Sequence, residues 1–156
     1  MDTDIETQRT EDARMLRESL ALVAPVAEQL IASFYERLFA EYPQVRSMFP
    51  ANMDMQREKL LKAVIALVTH YDTPEALLPA LSTMGRNHVR YGAQVEHYGA
   101  VGQTLLATLE SYAGDAWTPE LAGAWERAYT FAAGTMMRAA TAEAGLETAE
   151  DRQVAA

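Results

Sequence analysis

Cysteine is absent from this sequence. Its absence excludes disulfide bonds, catalytic thiolates and the cysteine-based zinc and iron–sulfur sites. A chain without disulfides is compatible with a reducing compartment. The acidic start of the chain, residues 1–12, also lacks the basic stretch and the apolar run of a secretory signal. We therefore expect a cytoplasmic protein.

Positive charge and long apolar runs are also scarce. The formal net charge at pH 7 is -9, whereas surfaces that bind nucleic acids or acidic membranes are usually basic. Residues 63–68 form an apolar run, but a helix needs roughly 18 such residues to span a bilayer. We therefore expect neither a nucleic-acid partner nor a membrane span.

Motifs of several common enzyme classes are missing as well. The sequence has no glycine-rich phosphate-binding loop and no nucleophile elbow of the hydrolase type. Its histidines, His70, His88 and His97, are too far apart for the paired histidines of a zinc-protease helix. Local motifs therefore indicate none of these enzyme classes.

The positive signal in the sequence is helical periodicity. The chain has 156 residues, of which 49% are hydrophobic, and this is enough for one domain with a sizeable core. Apolar side chains recur every three or four positions in successive segments, and no segment shows the alternation of a strand. The sequence therefore predicts an all-α domain over residues 13–144. Residues 1–12 and 145–156 are polar, and we expect them to be frayed tails.

Threonine, proline and glycine mark the ends of these segments. Thr73 and Thr118 each precede a proline and a glutamate, which is typical of a helix N-cap followed by the first helical residue. Gly92 and Gly114 follow apolar stripes, as glycines at helix C-termini do. We therefore expect short connections between the helices.

His88 is the most informative single residue. It follows Met84 by one helical turn and Leu81 by two, so the three side chains share one face. A neutral imidazole on a buried face needs a partner for each ring nitrogen. A metal could bind one nitrogen and a backbone carbonyl the other, or protein groups could satisfy both. Spacing alone favours protein groups, because most buried polar groups find protein partners.

Three other side chains have both an ordinary and a functional interpretation. Tyr35 lies in the densest apolar stripe, where its hydroxyl could reach the surface or point at a ligand. Gln56 shares a helix face with Leu60, although most glutamines are simply solvated. Phe49 lies in a polar, helix-poor stretch, where a large aromatic side chain anchors a loop in the simplest interpretation.

Five motifs with nearly constant spacing, taken together, favour the functional interpretation of these residues over the ordinary one. They are SFYERLF with the following proline and Met-Phe (33–49), QREKL (56–60), GRNHVRYG (85–92), EHYGAVG (96–102) and AWERAY (124–129). Together they resemble the flavohaemoglobin-related single-domain globins of bacteria, the Vitreoscilla haemoglobin-like family. The resemblance covers roughly residues 15–140 and implies a globin fold, a three-over-three sandwich of helices around haem b.

The resemblance also implies a role for each matched residue. His88 would be the axial ligand of the haem iron, and Phe49 would wedge against the haem from its loop. Tyr35 and Gln56 would form the distal polar pair. Leu60 would line the same pocket. The residues that would pack on the haem or beside the proximal histidine are Met84, Ala93, Tyr98 and Val101.

The function that the resemblance implies is reversible, high-affinity binding of oxygen and other diatomic gases, including nitric oxide and carbon monoxide. Oxygen bound to iron carries partial negative charge, so hydrogen bonds from Tyr35 or Gln56 would slow its release. One alternative is nitric oxide dioxygenation with a separate reductase. Others are a haem-based gas sensor and a haem-free helical module in which His88 is an ordinary core residue. The protein is expected to be a monomer or a homodimer.

The sequence departs from the family in two respects. It has no counterpart of the flavin- and nicotinamide-binding reductase module of true flavohaemoglobins, so a catalytic cycle would need electrons from a partner. In those proteins a glutamate of the last helix and a tyrosine hydrogen-bond the proximal histidine. Here Tyr98 is present, but Ala140 aligns with the glutamate, and Glu143 is one turn away. We therefore expect a less anionic imidazole at His88 and weaker peroxidase-like chemistry.

Overall fold

The computed structural model describes the backbone of residues 2–155 and the side chains of residues 3–142. Within this range the chain is helical and contains no strands, which confirms the all-α prediction. The α-helices are α1 (Asp2–Val23), α2 (Ala27–Glu41), α3 (Asp54–His70), α4 (Leu78–Arg90), α5 (Val95–Ala113) and α6 (Pro119–Ala155). Short 3-10 helices connect them at Ala24–Val26, Pro43–Met48, Pro74–Ala76 and Gly114–Ala116. Over residues 2–155, no helix combines the length and apolarity needed to cross a membrane.

The predicted helix ends agree with the structure at most positions. Gly92 lies just beyond the C-cap Tyr91 of α4, and Gly114 directly follows α5; their φ angles are 85° and 58°, and glycine adopts positive φ without strain. The Thr118 hydroxyl accepts a hydrogen bond from the backbone N–H of Leu121 at 3.1 Å and caps α6. Thr73 makes no such side-chain cap, because a 3-10 turn follows it and α4 begins only at Leu78.

The N-terminal segment differs from the frayed tail predicted over residues 1–12. Residues 2–12 form the first turns of α1, so the prediction is wrong for them. The reason is an anchor that the polar composition hides: Asp12 is only 1% exposed and accepts two hydrogen bonds from Arg127 of α6, at 2.7 and 2.9 Å. The predicted tail at 145–156 falls in a part of α6 whose side chains lie outside the described residues.

Arg9 provides a second anchor between α1 and the rest of the fold. Its guanidinium group lies over the rings of Tyr71 and Phe131, at 4.6 and 4.9 Å from their centroids. It also donates a hydrogen bond to the Tyr71 carbonyl at 3.2 Å. Cation–π contacts of this kind hold an otherwise polar helix against aromatic side chains. The start of α1 is therefore attached both to α6 and to the segment that follows α3.

The helices pack around two neighbouring clusters of buried apolar side chains. The larger cluster joins α1, α2, α3, α5 and α6, and its largest fully buried members are Trp125, Phe34, Leu16 and Leu38. The smaller cluster packs α4 and the residue before it against α6. Its buried members are Leu77, Leu81, Ala132 and Met136. The two clusters border the region between α3, α4, α5 and α6 where the candidate site lies.

Helix α4 approaches α6 very closely at Gly85. A Cβ atom on Gly85 would lie 2.2 Å from the backbone oxygen of Met136, far inside van der Waals contact. Only glycine therefore allows the two helix backbones to come this close. His88 follows Gly85 by three residues in the same helix, so this contact helps to set the position of the imidazole.

Candidate functional site

An apolar cavity opens between α3, α4, α5 and α6. It encloses about 780 Å³ that protein atoms do not fill, part of it open to solvent. Every helix around it contributes walls, and most of the lining side chains are aliphatic. Six of the residues that the sequence places at the haem site line this cavity: Leu60, Met84, His88, Ala93, Tyr98 and Val101. The structure therefore brings six residues from four segments of the chain to one site.

The His88 ring is held by its own helix. Its Nδ1 atom lies 2.6 Å from the backbone oxygen of Met84, one turn earlier in α4. A carbonyl oxygen only accepts, so Nδ1 carries the proton and donates. Among the described residues, no group hydrogen-bonds to Nε2, and the ring lines the cavity. In the neutral form of the ring, Nε2 is then the nitrogen without a proton and can bind a metal, while Nδ1 orients the ring.

Two tyrosines lie close to the His88 ring. The ring centroids of Tyr91 and Tyr98 are each 6.2 Å from that of His88. Burial raises the pKa of Tyr98, so its hydroxyl stays protonated at neutral pH. Within the described side chains, the only hydrogen-bond partner of His88 is the Met84 carbonyl, and Ala140 offers no polar side-chain atom. The side chain of Glu143 lies outside the described residues.

Tyr35 and Gln56 form a polar pair next to the cavity. The Gln56 side-chain amide donates to the Tyr35 hydroxyl oxygen at 3.2 Å. Tyr35, in α2, is only 5% exposed, and burial raises its pKa, although the hydrogen bond from Gln56 opposes this in part. Gln56 begins the turn of α3 that brings Leu60 into the cavity wall. Tyr35 and Gln56 themselves are not among the residues that line the cavity.

Phe49 belongs to an aromatic group around Tyr35. Its ring meets those of Tyr35 and Phe39 edge-on, with centroids 5.7 and 5.4 Å apart. Arg46 lies 5.0 Å from the Phe39 ring centroid and donates hydrogen bonds to the carbonyl oxygens of Phe49 and Pro50. The loop that carries Phe49 is therefore anchored beside the polar pair, but Phe49 does not line the cavity either.

Sequence reasoning missed two polar residues of the cavity wall, His97 and Tyr129. The Tyr129 hydroxyl donates to the backbone oxygen of Tyr98, and burial raises its pKa. His97 Nδ1 accepts a hydrogen bond from the backbone N–H of Gln94 at 2.8 Å. The three-residue spacing of Gln94 and His97 at a helix start resembles a capping box and could have drawn attention to His97.

The chemistry of the cavity fits a haem group. Its walls are almost wholly apolar, as the faces of a porphyrin require, and His88 offers one free imidazole nitrogen. A single histidine suits an iron whose equatorial ligands all come from a porphyrin. Over the described residues, no cluster of three or more His, Cys, Asp or Glu side chains could hold a bare metal ion. The residues present therefore fit haem.

Sequence comparisons agree with this chemistry. The family model for Globin matches residues 32–136. A globin-like protein of Aquifex aeolicus is 35% identical over 127 residues, which is 81% of this chain and 90% of that protein. A flavohaemoprotein of Rhodopirellula baltica is 39% identical over 123 residues, which is 77% of this chain. The chain spans only 30% of the length of that flavohaemoprotein.

Solved structures share the same arrangement of helices. A bacterial globin from Campylobacter jejuni has a TM-score of 0.78 at 22% identity, covering 87% of this chain and 99% of the other. An engineered carbene transferase derives from a Rhodothermus marinus protein named as a candidate nitric oxide dioxygenase. It has a TM-score of 0.79 at 28% identity, covering 88% of this chain and 96% of the other. The likeness extends over most of each molecule.

Proposed function

The chain belongs to the globin family, and from this premise we propose that it is a haem b protein that binds oxygen reversibly and with high affinity. The observation that carries the proposal is the partly buried hydrogen bond between Gln56 and Tyr35, one helical turn from Leu60 in the wall of the cavity that His88 also lines. When bound, ferrous haem supplies an iron with an open position for a diatomic gas. The protein's contribution lies in how it binds haem and how it polarises the gas site.

On the proximal side, the contribution of His88 is a neutral imidazole in a fixed orientation. The Nδ1–H bond to the Met84 carbonyl holds the proton on Nδ1 and leaves Nε2 for the iron. A carbonyl acceptor is weaker than a carboxylate, so the imidazole gains little anionic character. Such a histidine suits ligand binding more than cleavage of an oxygen–oxygen bond.

On the distal side, Tyr35 is arranged as a hydrogen-bond donor. Its hydroxyl oxygen already accepts from the Gln56 amide, so its own proton is free for another acceptor. Burial raises the Tyr35 pKa, which keeps the hydroxyl protonated at neutral pH. A donor of this kind stabilises a gas ligand that gains negative charge, such as oxygen, more than carbon monoxide.

The experiment compares oxygen dissociation from the ferrous protein before and after substitution of Tyr35 by phenylalanine. Absorption spectra of the ferric, ferrous and oxygenated states first establish haem uptake. We expect Tyr35→Phe to speed oxygen release about tenfold, since a hydrogen bond contributes about 1–1.5 kcal/mol. Carbon monoxide release should change less.

Tyr42→Phe is the matched control, since it also removes one tyrosine hydroxyl. The Tyr42 hydroxyl donates to the Gln103 side chain at 3.3 Å, at the end of α2, and Tyr42 does not line the cavity. Its oxygen release should equal that of the wild type. An unchanged rate in Tyr35→Phe would rule out the distal role.

A second candidate function is oxidation of nitric oxide to nitrate. It is favoured by the likeness to flavohaemoproteins and to the Rhodothermus marinus protein named as a candidate nitric oxide dioxygenase. In the net reaction, nitric oxide, molecular oxygen and one electron form nitrate, and both atoms of the oxygen molecule are retained in the product. The chain spans 30% of the flavohaemoprotein's length. This second candidate function needs a reductase to supply the electron.

The measurement is nitrate formed per haem when nitric oxide, oxygen, reduced nicotinamide and a generic flavin reductase are supplied together. The second candidate predicts many equivalents of nitrate per haem at a steady rate. One equivalent per haem, with the protein left in the ferric state, would exclude catalysis and leave reversible oxygen binding as the function.

A further inference from the structure

His97 is a polar side chain in the cavity wall to which the proposed function gives no task. Among the described residues of the lining, four side chains carry nitrogen or oxygen atoms that can hydrogen-bond, those of His88, His97, Tyr98 and Tyr129. The His88 Nδ1 atom and the Tyr129 hydroxyl both bond to backbone carbonyls within the described structure. His97 also has one ring nitrogen in use, but its arrangement differs from that of His88.

The start of α5 fixes the tautomer of His97. Its Nδ1 atom accepts the backbone N–H of Gln94 at 2.8 Å, and the Gln94 side chain accepts the backbone N–H of His97 in return. An acceptor nitrogen carries no proton, so the proton of the neutral ring lies on Nε2. No described residue accepts a hydrogen bond from Nε2. His97 therefore offers the cavity a fixed N–H donor, the opposite of the free acceptor nitrogen of His88.

His97 also lies at the rim of the cavity. It is half-buried, and its neighbours Gln94, Val95 and Glu96 are exposed, with Val95 at 70%. A haem has two propionate groups on one edge. In a bound haem that edge would face the rim of the apolar cavity, because burying a carboxylate without partners is strongly unfavourable. A rim-side N–H donor would therefore meet the part of the cofactor that carries negative charge.

We propose that the Nε2–H of His97 donates a hydrogen bond to a haem propionate and so slows loss of the haem from the protein. The inference rests on the proposed haem binding and assigns to His97 a positioning role that is separate from gas binding. The predicted signature is retention of the cofactor, measured without any turnover.

The chain offers a sharply matched pair of variants for the test. Glutamine and glutamate are nearly isosteric, and both fit the third position of a capping box, where either can accept the Gln94 N–H. Only glutamine can also donate a hydrogen bond, because ionised glutamate accepts only. His97→Gln therefore keeps the cap and the donor, whereas His97→Glu keeps the cap, removes the donor and places a negative charge where it would repel a propionate.

The measurement is the rate at which ferric haem leaves each variant for an excess of an apoprotein acceptor, followed by its absorption. We expect His97→Glu to lose haem about tenfold faster than wild type, equivalent to about 1.4 kcal/mol. His97→Gln should remain within about twofold of wild type, or about 0.4 kcal/mol. Thermal unfolding of the three apoproteins should be alike, which shows that the cap is intact.

Haem dimethyl ester, whose propionates carry no negative charge, completes the test. With this analogue the proposal predicts that wild type, His97→Gln and His97→Glu release the cofactor at similar rates. Equal rates of haem loss from the Gln and Glu variants, or a gap that persists with the ester, would overturn the proposal while haem binding stands. A chain that takes up no haem at all would overturn the proposed function and this inference together.

Discussion

Tyr35 and His88 take their hydrogen-bond partners from very different distances along the chain. The Met84 carbonyl that orients His88 lies one helical turn before it. The Gln56 amide that bonds to Tyr35 lies 21 residues further on, in another helix. The first pairing follows from helix geometry, but the second exists only because α2 packs on α3. From the sequence, the Tyr35–Gln56 pair is therefore predictable only through the family resemblance.

Asp12 is the residue whose role the composition hides most completely. It lies in an acidic, polar segment but is 1% exposed, with both carboxylate oxygens bonded to Arg127 and one also to Gln8. Burial by itself raises the pKa of the carboxyl. The hydrogen bonds from Arg127 and Gln8 outweigh it, and the net pKa is lowered. The ionised form of Asp12 is therefore the one that stabilises the fold.

Asp12→Asn should lower the free energy of unfolding by about 2 kcal/mol at pH 7, the typical contribution of hydrogen bonds between charged groups. Because the pKa of Asp12 is lower in the folded state, this contribution is complete above the unfolded-state pKa near 3.8 and is lost as pH falls below it. Urea unfolding at pH 7, 5 and 3 should show that the difference in unfolding free energy between wild type and variant shrinks only at the lowest pH.

Glu11→Gln is the control for this measurement. Glu11 also pairs with an arginine, Arg14, but both side chains are more than half exposed. Exposed ion pairs contribute about 0–1 kcal/mol, so the variant should unfold much as the wild type does. A gap for Asp12→Asn that is no larger than that of Glu11→Gln would contradict the anchoring role of Asp12.

At the scale of the helices, close approach decides what periodicity leaves open. The apolar stripe through Leu81 and Met84 predicts that one face of α4 is buried, but it does not say how near the neighbouring helix comes. Gly85 allows the α4 backbone to lie almost against that of α6 at Met136. The distance between α4 and α6, and with it the position of His88, therefore depends on a residue that has no side chain.

Gly85→Ala should destabilise the folded protein by about 2 kcal/mol, although alanine is the better helix former. The added Cβ would lie 2.2 Å from a backbone oxygen, which cannot move aside as a flexible side chain can. Overpacking of this kind typically costs about 1–3 kcal/mol. Thermal or urea unfolding of the apoprotein measures the change.

Gly99→Ala is the matched control in a neighbouring helix. Among the described residues, no atom outside the adjacent residues and backbone of α5 lies within 4 Å of a Cβ built on Gly99. Alanine there should stabilise the protein by up to about 1 kcal/mol through its higher helix propensity. Opposite signs for the two substitutions are expected, and a neutral Gly85→Ala would show that α4 can shift without cost.

At the scale of the whole molecule, the candidate site is a gap between packed elements. The two apolar clusters fill the space around α6, while the cavity between α3, α4, α5 and α6 keeps about 780 Å³ free of protein atoms. A flat apolar group in this space would gain dispersion contacts on both of its faces. Its polar edge would meet His97, and its metal would meet His88.

The sequence by itself determined the all-α class, most helix ends and the face on which His88 lies, because these depend on residues within one or two turns of each other. With the family resemblance, it also supplied six residues that line the cavity. Tertiary structure alone decided that residues 2–12 are helical, that α4 touches α6 at Gly85, and that His97 and Tyr129 face the same cavity as His88. Each of these depends on contacts between residues far apart in the chain, and no local pattern encodes such a contact.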